Sequence, residues 1–551
     1  MFSFLPGPRI LRSPSKTGYW WQNPFYIQAL ILFSAIPLLW PVLPPLTDAP
    51  GHLGRYRVEL GIVHSPWLHQ WYSFDWHLVG NLGFDLLIIP LANIFGLETG
   101  FKIGVIGMVL LTATGLLAIS KVVHGKIPPT AAFALPFIYS FPFQFGFLNY
   151  CLSMALAFNA FALWLYWGKT HYAVLRAILF IPIGIIIWLC HSYGWGVLGL
   201  LCFSAELSNN YASARRQRKT YIRSFFQAGL DTFLAMLPLL PPILLMILWR
   251  SGHVSEGNGD WFRFDLKMQW LIFALRDRWQ LFDILSIAIA VLVLLIGRFH
   301  LARPLGLACL ILSVAFICLP RILLSAAFAD MRLAPYLFAL ALIGLKAPVN
   351  RNFARIAAIA ALLFFLSRMV ATTISFWLYD QAYQQQLTAL NYIKPGSRVI
   401  AMVETPCLMS WYSNHMSHLP AMATVRKDAF TNSEWAIAGQ QLLTIHFPEA
   451  GHFTHDPSQS LYPRRCRFRG SADLDTTVHY FPRSAFDYFW LIDIPPNAWP
   501  HAKGLIPVWS ARNGILYKVD HRIPSPSQTE YPLSSHDKAI NLVRMQIKKI
   551  L

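Results

Sequence analysis

Charge is what this sequence has least of. Asp, Glu, Lys and Arg make up 13% of its 551 residues, where a soluble globular domain carries about a quarter. With 55% hydrophobic residues and a mean hydropathy of +0.45, that scarcity excludes an ordinary soluble fold and leaves a polytopic membrane protein. Acids are scarcer than bases, with 26 Asp and Glu against 45 Lys and Arg, for a formal net charge of +19. No nucleic-acid module accompanies that excess, so it is read as membrane topology rather than as a nucleic-acid surface.

Cysteine is sparse too, at seven, and no CxxC occurs. Cys151, Cys190, Cys202, Cys309 and Cys318 lie in apolar runs and read as small buried hydrophobes. Cys407 and Cys466 lie in the polar C-terminal part and are able to pair if that part faces an oxidising compartment. There is no P-loop, no dinucleotide fingerprint, no GxSxG and no HExxH. The short-spaced histidines (His64 and His69, His415 and His418, His452 and His455 with Asp456) form no Cys/His zinc set. No internal repeat of about 20–50 residues stands out.

What is present is a series of apolar runs near span length. A span needs about 20 apolar residues. Candidate spans cover 25–43, 100–120, 128–146, 149–168, 173–190, 193–208, 226–249, 281–297, 303–322, 331–346 and 353–378, about eleven in all. The segment 85–96 is too short to span and reads as interfacial or re-entrant.

Every alternate loop is basic and free of acids: Arg9 to Lys16, Lys121 to Lys126, Lys169 to Arg176, Arg215 to Arg223, Arg298 to Arg303, and Lys346 to Arg355. The positive-inside rule then places residues 1–24 in the cytoplasm. It makes 25–379 a transmembrane domain and puts 380–551 outside. The basic N-terminus followed by a span-length run with no small-residue cleavage site reads as an uncleaved signal-anchor.

Two outer loops are long, 44–99 and 250–280. The second contains WFRFDLKMQWLIFALRDRW and reads as an amphipathic helix on the membrane surface. Residues 380–551 change character. GSRVIAMVE, FDYFWLIDIP and GILYKVD read as strands, and 381–393 and 434–445 as helical. The expected fold is therefore mostly α, a polytopic helical membrane protein with a small C-terminal extracytoplasmic α/β domain. An extended tail and a short amphipathic helix at 537–551 close the chain.

The stretch PPLTDAPGHLGRYRVEL, 44–60, follows the first span directly. Pro50 suits a first helical turn, and Thr47 or Asp48 can cap it. Leu53, Tyr56, Leu60 and Val63 make an apolar stripe, with His52, Arg55 and Glu59 opposite, as in a helix lying on a surface. Asp48 stands at the entrance of that helix.

An acid just outside the first span, followed by a long outer loop, resembles the GT-C-type membrane glycosyltransferases. The form D-x-P-x-H-x-x-R, here Asp48, Pro50, His52 and Arg55, is similar to uncharacterised bacterial polytopic proteins of that kind. The resemblance implies a sugar donor on a polyprenyl phosphate or diphosphate, presented at the outer face of a bacterial inner membrane, and an acceptor it does not identify. Asp48 would be the base, with His52 beside it. The leaving lipid phosphate would be held by cations. Some GT-C enzymes carry a DxD in the first loop and this chain has none there, so a divalent cation is left open and no other cofactor is indicated.

On the outer side, the residues available for substrate are Arg55, Asp75 and His77 in the first loop, with Asp85 read as a helix cap. His191, Arg321, Asp330 and Arg332 complete the set. Arg250, Arg276 and Arg278 read as headgroup contacts. Two non-enzymatic readings compete. A lipid or solute flippase would carry charge within its spans, and these runs are nearly charge-free. A non-catalytic scaffold with an outer binding domain would hold Asp48, His52 and Arg332 far apart.

Overall fold

The computed structural model describes residues 18–169, 172–217, 220–250, 258–323, 327–407, 410–411, 415–435, 441–463 and 473–525. The expected helix at 537–551 lies outside them, as does Cys466. Cys407 is disulfide-bonded.

The protein is mostly helical, with a small C-terminal sheet. Its principal helices are α1 (Pro24–Phe33), α2 (Ala49–Gly61), α3 (Gly83–Phe95), α4 (Leu97–His124), α5 (Leu148–Gly168), α6 (Ala173–Cys190) and α7 (Ser192–Arg216). They continue with α8 (Tyr221–Met236), α9 (Pro242–Arg250), α10 (Phe264–Ile272), α11 (Gln280–Ile296), α12 (Arg303–Cys318), α13 (Ala334–Gly344) and α14 (Arg351–Leu387). Among the described residues, four helices are long and apolar enough to cross a membrane, or up to six if each of two bent pairs is one span.

Those four to six stand where the apolar runs predict about eleven spans. Composition gave each run enough length, but proline and local breaks divide several of them. The run 128–146 becomes a 3-10 helix, Ala131–Tyr139, with Pro136 inside it, followed by a short turn of helix. The run 226–249 bends by 58° at a break after Leu239. The surface helix expected over 250–280 is not one helix: α10 stops at Ile272, and the chain turns by 99° into α11. Outward faces of α6, α8, α11 and α14 carry exposed Ile, Leu, Val and Phe, as an acyl-chain environment requires. The chain is an integral membrane protein.

The spans are less charge-free than the sequence suggests. Arg368, deep in α14, is buried and donates from Nη1 to Asp283 Oδ1 of α11 at 2.6 Å. It also donates to the Leu275 carbonyl at 2.9 Å. A charge at that depth is tolerated because both partners are hydrogen-bonded. Asn350 caps α14 by accepting from the N–H groups of Asn352 and Phe353. At 1.5 Å per residue this 37-residue helix is about 55 Å long. It therefore outruns a hydrocarbon core and carries the chain rigidly into the sheet, where Gln386 packs against Gly514.

The strands are β1 (Tyr72–Phe74), β2 (Arg398–Glu404), β3 (Phe430–Thr431), β4 (Leu443–Ile445), β5 (Ser460–Leu461), β6 (Tyr488–Ile492), β7 (Leu505–Ala511) and β8 (Gly514–Val519). Six form one sheet in the order β3-β2-β6-β8-β7, with β5 also on β2. The β2–β6 pair is parallel, with Ala401 opposite Trp490, and β6–β8 is antiparallel. All five residues of β6 are buried, so that strand reads as a continuous apolar run.

The region 434–445, expected to be helical, instead contains β4, which pairs with β1 of the first loop, Tyr72 opposite Ile445. That two-stranded sheet ties the first outer loop to the C-terminal part. Arg57 with Asp428 (2.7 Å) and Arg426 with Glu98 (2.8 Å) join them again.

Candidate active site

Helix α2 starts where the sequence predicts, with Asp48 at its N-cap and Pro50 in its first turn. It does not lie on a surface. Leu53, Arg55, Tyr56 and Val58 are all buried, while Val63, expected on the inner stripe, is exposed. The reason is tertiary: the C-terminal part covers the face the sequence leaves polar. Trp435 packs where a Cβ at Gly51 would stand, and the Glu434 carboxyl occupies the space beside Gly54.

Asp48 makes no capping hydrogen bond with its side chain. Its backbone N–H donates to the Phe145 carbonyl at 2.9 Å, and Thr47 N–H to Gln144 at 3.0 Å. Gly146 makes this seam possible. Its φ is +99°, and a Cβ there would lie 2.9 Å from Asp48 N, so both the left-handed backbone and the close approach require glycine. The Asp48 carboxylate is nine-tenths buried. It faces His418 Nε2 at 3.9 Å, and the same nitrogen lies 3.8 Å from Asp456 Oδ1. These distances are contacts of charge and dipole, too long for hydrogen bonds. Burial pushes the Asp48 carboxyl well above the usual carboxylate range; Asp456 adds to the rise and Arg332 opposes it.

The two histidines have fixed tautomers because carbonyls only accept. His418 Nδ1 donates to the Ser433 carbonyl at 2.9 Å, which leaves Nε2 toward the acids. His52 Nε2 donates to the Gly146 carbonyl at 3.1 Å. Burial, then Arg55, holds His52 well below its ordinary pKa, so it stays neutral.

Arg332 sits in the turn before α13, buried over the rings of Phe147 (4.5 Å) and Tyr150 (5.5 Å). Its Nη1 lies 3.0 Å from His191 Nε2, and Nη2 donates to the Ala327 carbonyl at 3.4 Å. His191 is the N-cap of α7, and its Nδ1 accepts from Tyr193 N–H at 3.1 Å. A neutral imidazole has one lone pair to offer, and two donors face it. Either tautomer leaves one N–H pointing at another donor, an arrangement that an anionic oxygen between Arg332 and His191 would relieve.

Two of the other buried cations contrast with Arg332. Arg55 pairs with Asp85 at 2.9 Å, and Lys267 with Asp330 at 3.3 Å. Among the described residues, no carboxylate lies within ion-pair distance of Arg332. A buried guanidinium without a counter-ion is costly, and its planar fork suits recognition of a phosphate or carboxylate.

Of the residues singled out from sequence, the structure brings together Asp48, His52, His191 and Arg332. Arg55 lies behind them in its pair with Asp85, whose second oxygen accepts from Asn149 Nδ2 at 3.0 Å. Asp85 is therefore an ion-pair partner, not a cap. Asp330 is occupied by Lys267. Arg321 pairs with Asp260 at 3.0 Å nearer the surface. Asp75 is exposed, and His77 bonds to its carbonyl. Arg276, expected at headgroups, is buried and donates to the carbonyls of Ser410 and Trp411. His418, Glu434, Trp435 and Asp456 were not foreseen as neighbours of Asp48, because nothing in a sequence reports that 418–456 folds over residue 48. His415, three residues before His418, bonds the Pro45 carbonyl.

No family model matches the chain, and no curated protein matches it by sequence. Among solved structures, it is similar to the arabinofuranosyltransferase AftD from Mycobacteria, at 12% identity and a TM-score of 0.44, over 92% of this chain and 40% of that one. It is also similar to ArnT from Cupriavidus metallidurans in the apo state, at 12% identity and a TM-score of 0.44, over 91% of this chain and 98% of that one. The same ArnT bound to undecaprenyl phosphate matches at 12% identity and a TM-score of 0.43, over 91% and 99% of the two chains. These structural neighbours are GT-C glycosyltransferases.

Proposed function

We propose that this protein is an inverting membrane glycosyltransferase that moves a sugar from a polyprenyl-phosphate-linked donor to an extracytoplasmic acceptor. The observation that carries the reading is one buried site holding a carboxylate without a capping role, Asp48, and a guanidinium, Arg332, with no ion-pair partner among the described residues. In this reading Asp48 takes the proton of the acceptor hydroxyl as its oxygen attacks the anomeric carbon. The bond from that carbon to the lipid phosphate breaks, and a single displacement inverts the anomeric configuration. Arg332 Nη1 and the His191 imidazole hold the departing phosphate, supplying the anion their facing donors lack. Asp456 raises the basicity of Asp48, and His418 lies between the two acids.

Residues 25–379 would seat the lipid, and 380–551 would close the site from the outer face of a bacterial inner membrane, with the N-terminus cytoplasmic. The scaffold reading fits less well, since it expects Asp48 and Arg332 to be apart. The test is release of polyprenyl phosphate by the reconstituted protein from a panel of polyprenyl-phosphate pentoses and hexoses. Asp48→Asn is expected to lower kcat by about 10²–10⁴ with KM little changed. Undiminished turnover in a folded variant removes Asp48 as the base.

A further inference from the structure

The far end of the same helices carries a cavity. Helix α7 begins beside His191 and runs 25 residues, which puts its last turn about 37 Å from the candidate active site. Helix α12 runs the opposite way. Its Cys318 end lies by Lys267, which donates to the Phe316 and Leu319 carbonyls, so its Arg303 end is at the distant face. Between α7, α8 and α12 opens a cavity of about 780 Å³.

Its lining combines three guanidinium groups with apolar surface. Arg215 and Arg216 come from the last turn of α7, Arg303 from the first residue of α12, and Phe225 and Leu307 supply apolar wall beside Tyr211. No Asp or Glu lines it among the described residues. The Arg215 guanidinium carbon stands over the Tyr221 ring, 3.7 Å from its centroid. Arg303 stands at the positive end of the α12 dipole, where a cation is unfavourable and an anion is favoured. Ile222 and Phe226 flank Phe225 and are exposed, continuing the apolar wall toward the bilayer.

We infer that this cavity binds the phosphate-bearing headgroup of an anionic glycerophospholipid, with the acyl chains lying along Phe225 and Leu307. Arginine forks from two helix ends suit a phosphodiester. A basic pocket between membrane helices at the lipid boundary is where such a headgroup gains most. The site lies across the membrane from Asp48 and does not depend on the proposed transfer reaction.

The test is native mass spectrometry of the full chain in detergent, with phosphatidylglycerol and phosphatidylcholine as probes. The wild type is expected to retain phosphatidylglycerol preferentially. Each basic residue contributes about fivefold, so Arg216→Gln with Arg303→Gln should weaken retention roughly 25-fold. Leu307→Trp, which narrows the cavity and leaves every charge in place, should also release the lipid; if the double variant does not fold, this one decides. Equal retention of the two lipids, or unchanged retention in either variant, overturns the inference. Displacement by millimolar glycerol 3-phosphate overturns it as well, because the ligand would then be a soluble phosphate ester.

Discussion

Replacing Arg332 with methionine separates the two roles a buried arginine can have. Methionine keeps an unbranched chain and removes the guanidinium that stands over the Phe147 and Tyr150 rings. The resting protein then no longer buries a cation that lacks a carboxylate within ion-pair distance. The facing donors of Arg332 and His191 are also relieved. Replacing buried ionic groups by apolar ones of similar volume is often stabilising by about 1–4 kcal/mol, and the lower part of that range applies here because Asp48 loses a favourable neighbour.

Turnover should move the other way. Losing one group that stabilises a developing anion costs about 10²–10³ in kcat, provided that Arg332 meets the leaving phosphate. Because Arg332 pulls the Asp48 carboxyl down, its loss should also move the acid limb of the pH–rate profile upward. The assays are thermal unfolding in detergent and polyprenyl phosphate release across pH. A structural arginine would lose stability and activity together. Arg368→Met is the control: it strands Asp283 in the interior and should destabilise by about 3–5 kcal/mol. Loss of stability in Arg332→Met, or retention of full turnover, refutes the anion-binding assignment.

Other outcomes follow from the same contacts. Asp456→Asn keeps the oxygen that accepts from Gln459 Nε2 at 2.6 Å but removes a charge that raises the Asp48 carboxyl. The acid limb of the pH–rate profile should therefore shift to lower pH; an upward shift would count against the Asp48 assignment. Asp85→Asn leaves Arg55 charged and buried, and should cost about 3–5 kcal/mol of stability; a loss under 1 kcal/mol would mean that water reaches the pair. Glu434 is held up to about 8 by burial. The folded state thus binds a proton there that the unfolded state has released above its ordinary value near 4.5. Stability from this group is present below that value and falls as pH rises toward about 8, by at most about 1.4 kcal/mol per unit. Glu434→Gln should flatten that decline in thermal unfolding between pH 5 and 8, and an unchanged slope would place the proton elsewhere.

Composition and periodicity settle a good deal without any structure. Scarce charge and long apolar runs dictate a membrane-embedded helical chain, because an unpaired backbone or side-chain charge in hydrocarbon is too costly. Alternation and turn residues mark β2, β6 and β8, since a half- or fully buried strand is written locally. Pro50 and the small residues around it fix the start of α2, and Asp48 is legible as its N-cap.

What Asp48 faces is decided only by the tertiary structure. The apolar stripe of α2 says that one side is buried, but it cannot say that Glu434 and Trp435 arrive from nearly 400 residues away to bury the other. The structure does not confirm the count of about eleven spans, for a related reason. Hydropathy reports transfer free energy summed over a window, whereas a break at a proline pair, as at Pro241 and Pro242 after Leu239, is a hydrogen-bonding and steric event that a sum does not register. The partner of Arg332 is likewise invisible in AFADMRLAPY. Asp330 beside it in sequence is the obvious partner, yet folding hands Asp330 to Lys267 and leaves Arg332 to His191, because neighbouring residues in a turn point in different directions and long-range packing chooses between them.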